Sequence, residues 1–155
     1  MKSKLMVGMF VAIMISGFGA SLSAEGPRKV IVLKTQGTVE TKMGEEGWKV
    51  AEAGMELHQN DEIRTAENAT AELLLDEGGA TGRLELKEKS RLRINSMELD
   101  QATKEKNTVL DLAIGSVLVH AEKLQGDSKF QVRTANSTTG VRGTTFTVSA
   151  EPKES

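Results

Sequence analysis

Cysteine and tyrosine are absent from this chain of 155 residues, and proline occurs only twice. Without cysteine there can be no disulfide, thiolate metal site, thiol nucleophile or lipid-bearing cysteine. Beyond the first 26 residues the aromatic side chains are Trp48, Phe130 and Phe146. These are too few for the stacking platforms of sugar sites or single-strand nucleic-acid grooves. An excess of positive charge is also lacking, since 20 Lys and Arg face 22 Asp and Glu for a formal net charge of −2. A mildly acidic chain has no electrostatic footprint for nucleic acid or an anionic membrane.

What is present begins with MKSKLMVGMFVAIMISGFGASLSAEG. Lys2 and Lys4 precede an apolar run from Leu5 to Phe18 and then small residues, the layout of a secretory leader. The run is shorter than the ~20 residues that span a bilayer. Export and cleavage after Ser23 or Ala24 are expected, with no membrane segment left in the mature protein and a periplasmic or secreted location. The remainder is one domain's length: a linker over residues 24–28, a β domain over 29–149 and a polar tail over 150–155.

Helical periodicity is lacking from this remainder. In GRLELKEKSRLRIN, Leu84, Leu86, Leu92 and Ile94 share one parity, and Arg83, Glu85, Lys87, Lys89, Arg91 and Arg93 the other. That pattern gives a strand with one face in a core and one in water. Glu88 and Ser90 break it, which predicts a turn or bulge at Lys87–Ser90. Ala71, Leu73 and Leu75 share a face before a turn at Asp76–Gly79. Val30–Leu33 and Val39 read as two strands joined by a turn at Thr35–Gly37, and Gln101–Thr108 as a hairpin tip. Leu110, Leu112 and Ile114 alternate up to a predicted turn at Gly115–Ser116. Phe130, Val132, Phe146 and Val148 are predicted to face inward. Many short strands with glycine-rich connections argue for an all-β domain, a sandwich or a small β-solenoid.

Catalysis needs a nucleophile with its base, an acid–base pair or a metal cluster. His58 and His120 stand apart, with no second ligand at a metal-binding spacing. Glu45–Glu46, Asp61–Glu62 and Asp76–Glu77 lie in turn contexts, where carboxylates serve local hydrogen bonds. TTGVRGTT lacks the lysine and glycine spacing of a phosphate loop. The sequence therefore predicts neither an enzyme nor a bound metal or cofactor.

Several motifs resemble, in their order, those of the FecR domain family. Trp48 comes first, then Gly54, then Asp61 to Thr65 in the place of the family's G-D-x-I-x-T, then Leu110 to Val117. The series ends in VRGTTF, with Gly140 just before it and Arg142, Gly143, Thr144 and Phe146 within it. Asn60 stands where a glycine is usual. The resemblance spans residues 29–149 and implies an extracytoplasmic all-β domain. In the best-known members that domain passes the state of an outer-membrane iron-siderophore receptor to a cytoplasmic sigma factor. Those regulators carry a cytoplasmic helical region and a transmembrane helix ahead of the domain. Here a leader stands in their place, so direct sigma-factor control is not expected. Two readings remain: a binding module for an envelope protein or glycan, and an accessory component of envelope signalling acting through a separate membrane protein.

The stretch TANSTTGVRGTTFTV, from Thr134 to Val148, holds six threonines and a single arginine. Gly140 and Gly143 suit positive φ or close backbone approach. Arg142, beside Val141 and near Phe146, is expected to be paired, with Asp61 and Asp111 as the first candidates, and so to pin the last strand to earlier ones.

Overall fold

The alternating segments are strands in the computed structural model, which describes residues 26–152. The expected leader and its cleavage site lie outside the described residues. In chain order the strands are β1 (Val30–Gln36), β2 (Val39–Lys42), β3 (Lys49–Val50), β4 (Glu56–Leu57), β5 (Glu62–Thr65) and β6 (Thr70–Leu75). After a short 3-10 turn at Glu77–Gly79 come β7 (Gly82–Leu86), β8 (Arg91–Leu99), β9 (Lys106–Ala121), β10 (Lys129–Arg133), β11 (Thr138–Val141) and β12 (Thr145–Ala150).

All twelve join one curled sheet organised about β9. The C-terminal part of β9 lies between β7 and β12, and the sheet continues from β7 through β6 and β1 to β4. The N-terminal part lies between β8 and β10, continuing through β5 and β2 to β3 on one side and to β11 on the other. Every pairing is antiparallel except β9 with β10. Both halves turn their apolar faces to one core. Val32, Leu73, Leu84 and Val119 come from the first half, and Ile63, Leu92, Leu110 and Phe130 from the second. The domain is all-β and sandwich-like.

The alternation at Leu84–Ile94 and the turn between its strands are present as expected, with Lys89 at φ 52° in the turn. The break between β1 and β2 near Thr35–Gly37 is present as well, and it is a corner between halves, since β1 pairs with β4 and β6, and β2 with β3 and β5. One connection differs from the sequence reading: Gly115–Ser116 is not a turn, because β9 runs unbroken for 16 residues. Gly115 adopts φ 92°, and a Cβ built there would stand 2.4 Å from the Ser90 Cα. It marks the bend where β9 passes from one half to the other. The inward parity changes there, from Leu110 and Leu112 to Val117 and Val119. A glycine at a bend and a glycine in a turn meet the same backbone need.

Candidate functional site

The most buried ion pair among the described residues involves a residue expected to lie in a linker. Arg28 is buried at the end of the sandwich and forks onto Asp76, with Nε to Oδ1 at 3.0 Å and Nη2 to Oδ2 at 2.8 Å. Its Nη1 donates to the carbonyls of Glu98 (3.0 Å) and Asn107 (3.1 Å), and its Nη2 also donates to the Thr108 hydroxyl at 2.8 Å. Thr81 donates its hydroxyl to Asp76 in turn. Asp76 and Thr81 belong to one half of the sheet, and Glu98, Asn107 and Thr108 to the other, so one guanidinium bolts the two together. Burial alone would raise the Asp76 pKa. The hydrogen bonds from Arg28 and Thr81, with the charges of Arg28 and Lys106, outweigh it and hold the carboxyl below the usual range. Outside this bolt lies an open cleft of about 400 Å³ lined by Lys29, Glu56, His58 and Lys106 among others. Lys29 is already bound to Glu56 at 2.5 Å and Glu77 at 3.0 Å.

The outward face of the second half carries Trp48. Arg64 lies over its ring at 4.0 Å and Arg91 at 5.4 Å. Arg64 and Arg91 oppose each other across β5 and β8, a like-charge pair that destabilises a sheet when left alone. The ring and the carboxylates of Glu40 (2.7 Å) and Glu62 (2.6 Å) compensate both guanidiniums. The next cross-strand row runs Lys42, Glu62, Arg93, Asp111, Arg133, so the basic parity of the sequence is interleaved with acids supplied by neighbouring strands. Val50, 69% exposed, borders this face.

The remaining motif residues divide between turns and an edge. Asp61 is buried and accepts from the amides of Gly44 (2.9 Å) and His58 (2.8 Å), fastening two turns. Asn60 sits at φ 76°, a conformation that glycine adopts freely and asparagine tolerates. The Thr65 hydroxyl donates to the Lys87 carbonyl at 2.5 Å and accepts from the Ser90 amide at 3.0 Å, joining β5 to the turn before β8. The Gly54 amide donates to the Val32 carbonyl at 2.7 Å. Gly140 has neither positive φ nor any atom near its absent Cβ, unlike the expectation, while Gly143 does turn at φ 61°. Phe146 is half-buried against the core, Thr144 is exposed just before β12, and Val148 is buried.

Arg142 corrects the sequence reading. Its side chain is exposed, and neither proposed carboxylate meets it. Asp61 is taken by backbone amides, and Asp111 is held by Arg133 (2.8 Å) and Asn95 (2.8 Å). Arg142 follows the last buried residue of β11 and lies in the bend before β12, where the chain turns outward. The arginine whose burial demands a partner is Arg28. Nothing periodic precedes Val30 to reveal it from sequence. Its one visible signal was position, two residues ahead of a strongly apolar strand.

No nucleophile–base pair is assembled in these clusters. Among the described residues no group of three or more histidines, aspartates or glutamates is placed to hold a metal ion. No helix among them is long and apolar enough to cross a membrane. Gly54 and Trp48 lie on β4 and β3 connections, and Gly140 to Phe146 on the opposite margin of the sheet, so the motif residues form no single pocket.

Comparison with known proteins bears on what such a frame is. No curated protein and no solved structure matches the chain. A family model described as FecR protein matches residues 61–155, from the buried Asp61 through the edge strand β12. The match covers more than half of the chain, and strands β1 to β4, which precede it, complete both halves of the same sheet. This chain belongs to the FecR family.

Proposed function

We infer that this protein is a non-enzymatic interaction module of the bacterial cell envelope, acting outside the cytoplasm. One observation carries the reading. Its buried polar chemistry is spent on architecture, with Arg28, Asp76, Asp61 and Thr65 all bound within the fold, whereas the run from Thr138 to Ala150 lies along an open margin of the sheet. A surface built in this way offers backbone and hydroxyl groups to another molecule rather than a reactive centre to a substrate. FecR is a regulatory signalling family, which favours a protein partner over a glycan. The second reading, an accessory part of envelope signalling that works through a separate membrane protein, rests on the same membership.

The test is capture of partners from envelope extracts by the purified domain. Recovery of a receptor or an inner-membrane regulator supports signalling. Recovery of polysaccharide alone supports a matrix role, and turnover of a glycan, ester or peptide panel would overturn the non-enzymatic reading. Fractionation with N-terminal sequencing of the exported chain tests location, with Ala24 or Glu25 expected as the first residue.

A further inference from the structure

The sheet ends on the side of β9 that faces β12. Residues Thr145 to Ala150 pair with His120 to Gly115, and no strand among the described residues pairs with the other side of β12. Alternation shows which backbone groups point away. The Ala121 amide donates to the Thr144 carbonyl at 3.1 Å, and the Ser116 hydroxyl donates to the Val148 carbonyl at 3.3 Å. Even-numbered residues therefore turn their N–H and C=O toward β9, and Thr145, Thr147 and Ser149 turn theirs outward. Exposed edges are normally blunted by charge, proline, bulges or shortness. β3 and β4 are short, at two residues each, but β12 has six residues reading TFTVSA and none of these devices.

The outward row is self-complementary. In an antiparallel pair, outward residues face outward residues, so two copies of β12 fit with Thr147 opposite Thr147 and Thr145 opposite Ser149. On the solvent face that register stacks hydroxyl against hydroxyl, a favourable cross-strand pairing. It also sets Glu151 of each copy opposite Gly143 of the other, beside Arg142. Arg142 is exposed and has no ion pair among the described residues. Lys123 borders the same bend, its Cα 3.3 Å from where a Gly143 Cβ would stand, and Glu151 is exposed. Cations at one end of the strand and an acid at the other meet their opposites only when the second strand runs antiparallel.

We propose that β12 is the contact through which two copies of this chain associate, joining their sheets across a twofold axis at Thr147. The interface is isologous, so it closes at a dimer and does not grow into a fibre.

Sedimentation of the purified domain over a range of concentrations tests this. A monomer–dimer equilibrium is expected. Thr147→Lys sets two ammonium groups opposite each other at the axis on a solvent-facing position, and should weaken the dimer by roughly tenfold or more. Thr147→Pro removes an outward N–H that β9 does not use, and should leave a folded monomer by near-ultraviolet circular dichroism. Arg142→Glu and Glu151→Arg should each weaken association, and the double exchange should restore it. A wild-type chain that stays monomeric at high concentration overturns the proposal, as does a dimer insensitive to Thr147→Lys. If the wild type is monomeric but the Thr147 variants lose a captured envelope protein, the edge serves a different chain and this inference fails while the interaction-module reading stands.

Discussion

Arg28 and Asp76 show how a single residue pair can carry cost and benefit together. Two charges taken from water lose hydration, and the loss is recovered only because every guanidinium nitrogen meets an acceptor. Removing one partner exposes the cost. Arg28→Met should destabilise the domain by about 3–5 kcal/mol in urea unfolding, because Asp76 is left buried without its counter-charge. Acid acts on the same pair. The folded-state pKa of Asp76 is depressed, so its stabilisation is complete above the unfolded value of about 3.9 and is lost as pH falls through the lower folded value. Asp76→Asn should flatten the loss of stability in that acid window, measured as the melting midpoint against pH. Arg142 gives the contrast: exposed and without an ion pair among the described residues, it should tolerate Arg142→Lys with a stability change within about 0.5 kcal/mol. A larger loss would restore the pinning role that the sequence suggested.

At the scale of elements, β9 decides the architecture. Its passage between the two halves depends on Gly115, where an added Cβ would meet the Ser90 Oγ at 2.1 Å and the Ser90 Cα at 2.4 Å. Gly115→Val should destabilise by more than about 2 kcal/mol, from overpacking and positive φ together, and a thermal melt would show it. The strands themselves were legible, because an apolar face and a solvated face print a period of two, as in Leu84–Ile94. The bend was not, since one glycine serves equally for reversing a chain and for bending it. Trp48 was legible as a motif residue, but its place between Arg64 and Arg91 depends on strands that meet only through long-range pairing. Arg142 misled for a related reason. An apolar neighbour in sequence says that Val141 is inside, and in a strand the next side chain points the other way.

For the whole molecule, the sharing of β9 and the Arg28 bolt make the halves interdependent. Neither half has a core of its own, since inward side chains of both form one cluster. A single cooperative transition is expected. Trp48 fluorescence, which reports on the second half, and amide exchange at Leu73 and Val119, in the first, should give the same unfolding free energy. Separate values would mean that the halves unfold independently.

The bolt also sets an order in time. Arg28 is among the first described residues, yet its Thr108 partner lies 80 residues further along the chain. During synthesis at about 5–20 residues per second, that partner follows roughly 4–16 seconds later. Until then the guanidinium can meet Asp76 and Thr81 of the first half but not the groups of the second, and neither half has the other to close against. The domain is therefore committed to its native state late, when β9 emerges, and any helper that shields the nascent chain must hold it for at least that interval.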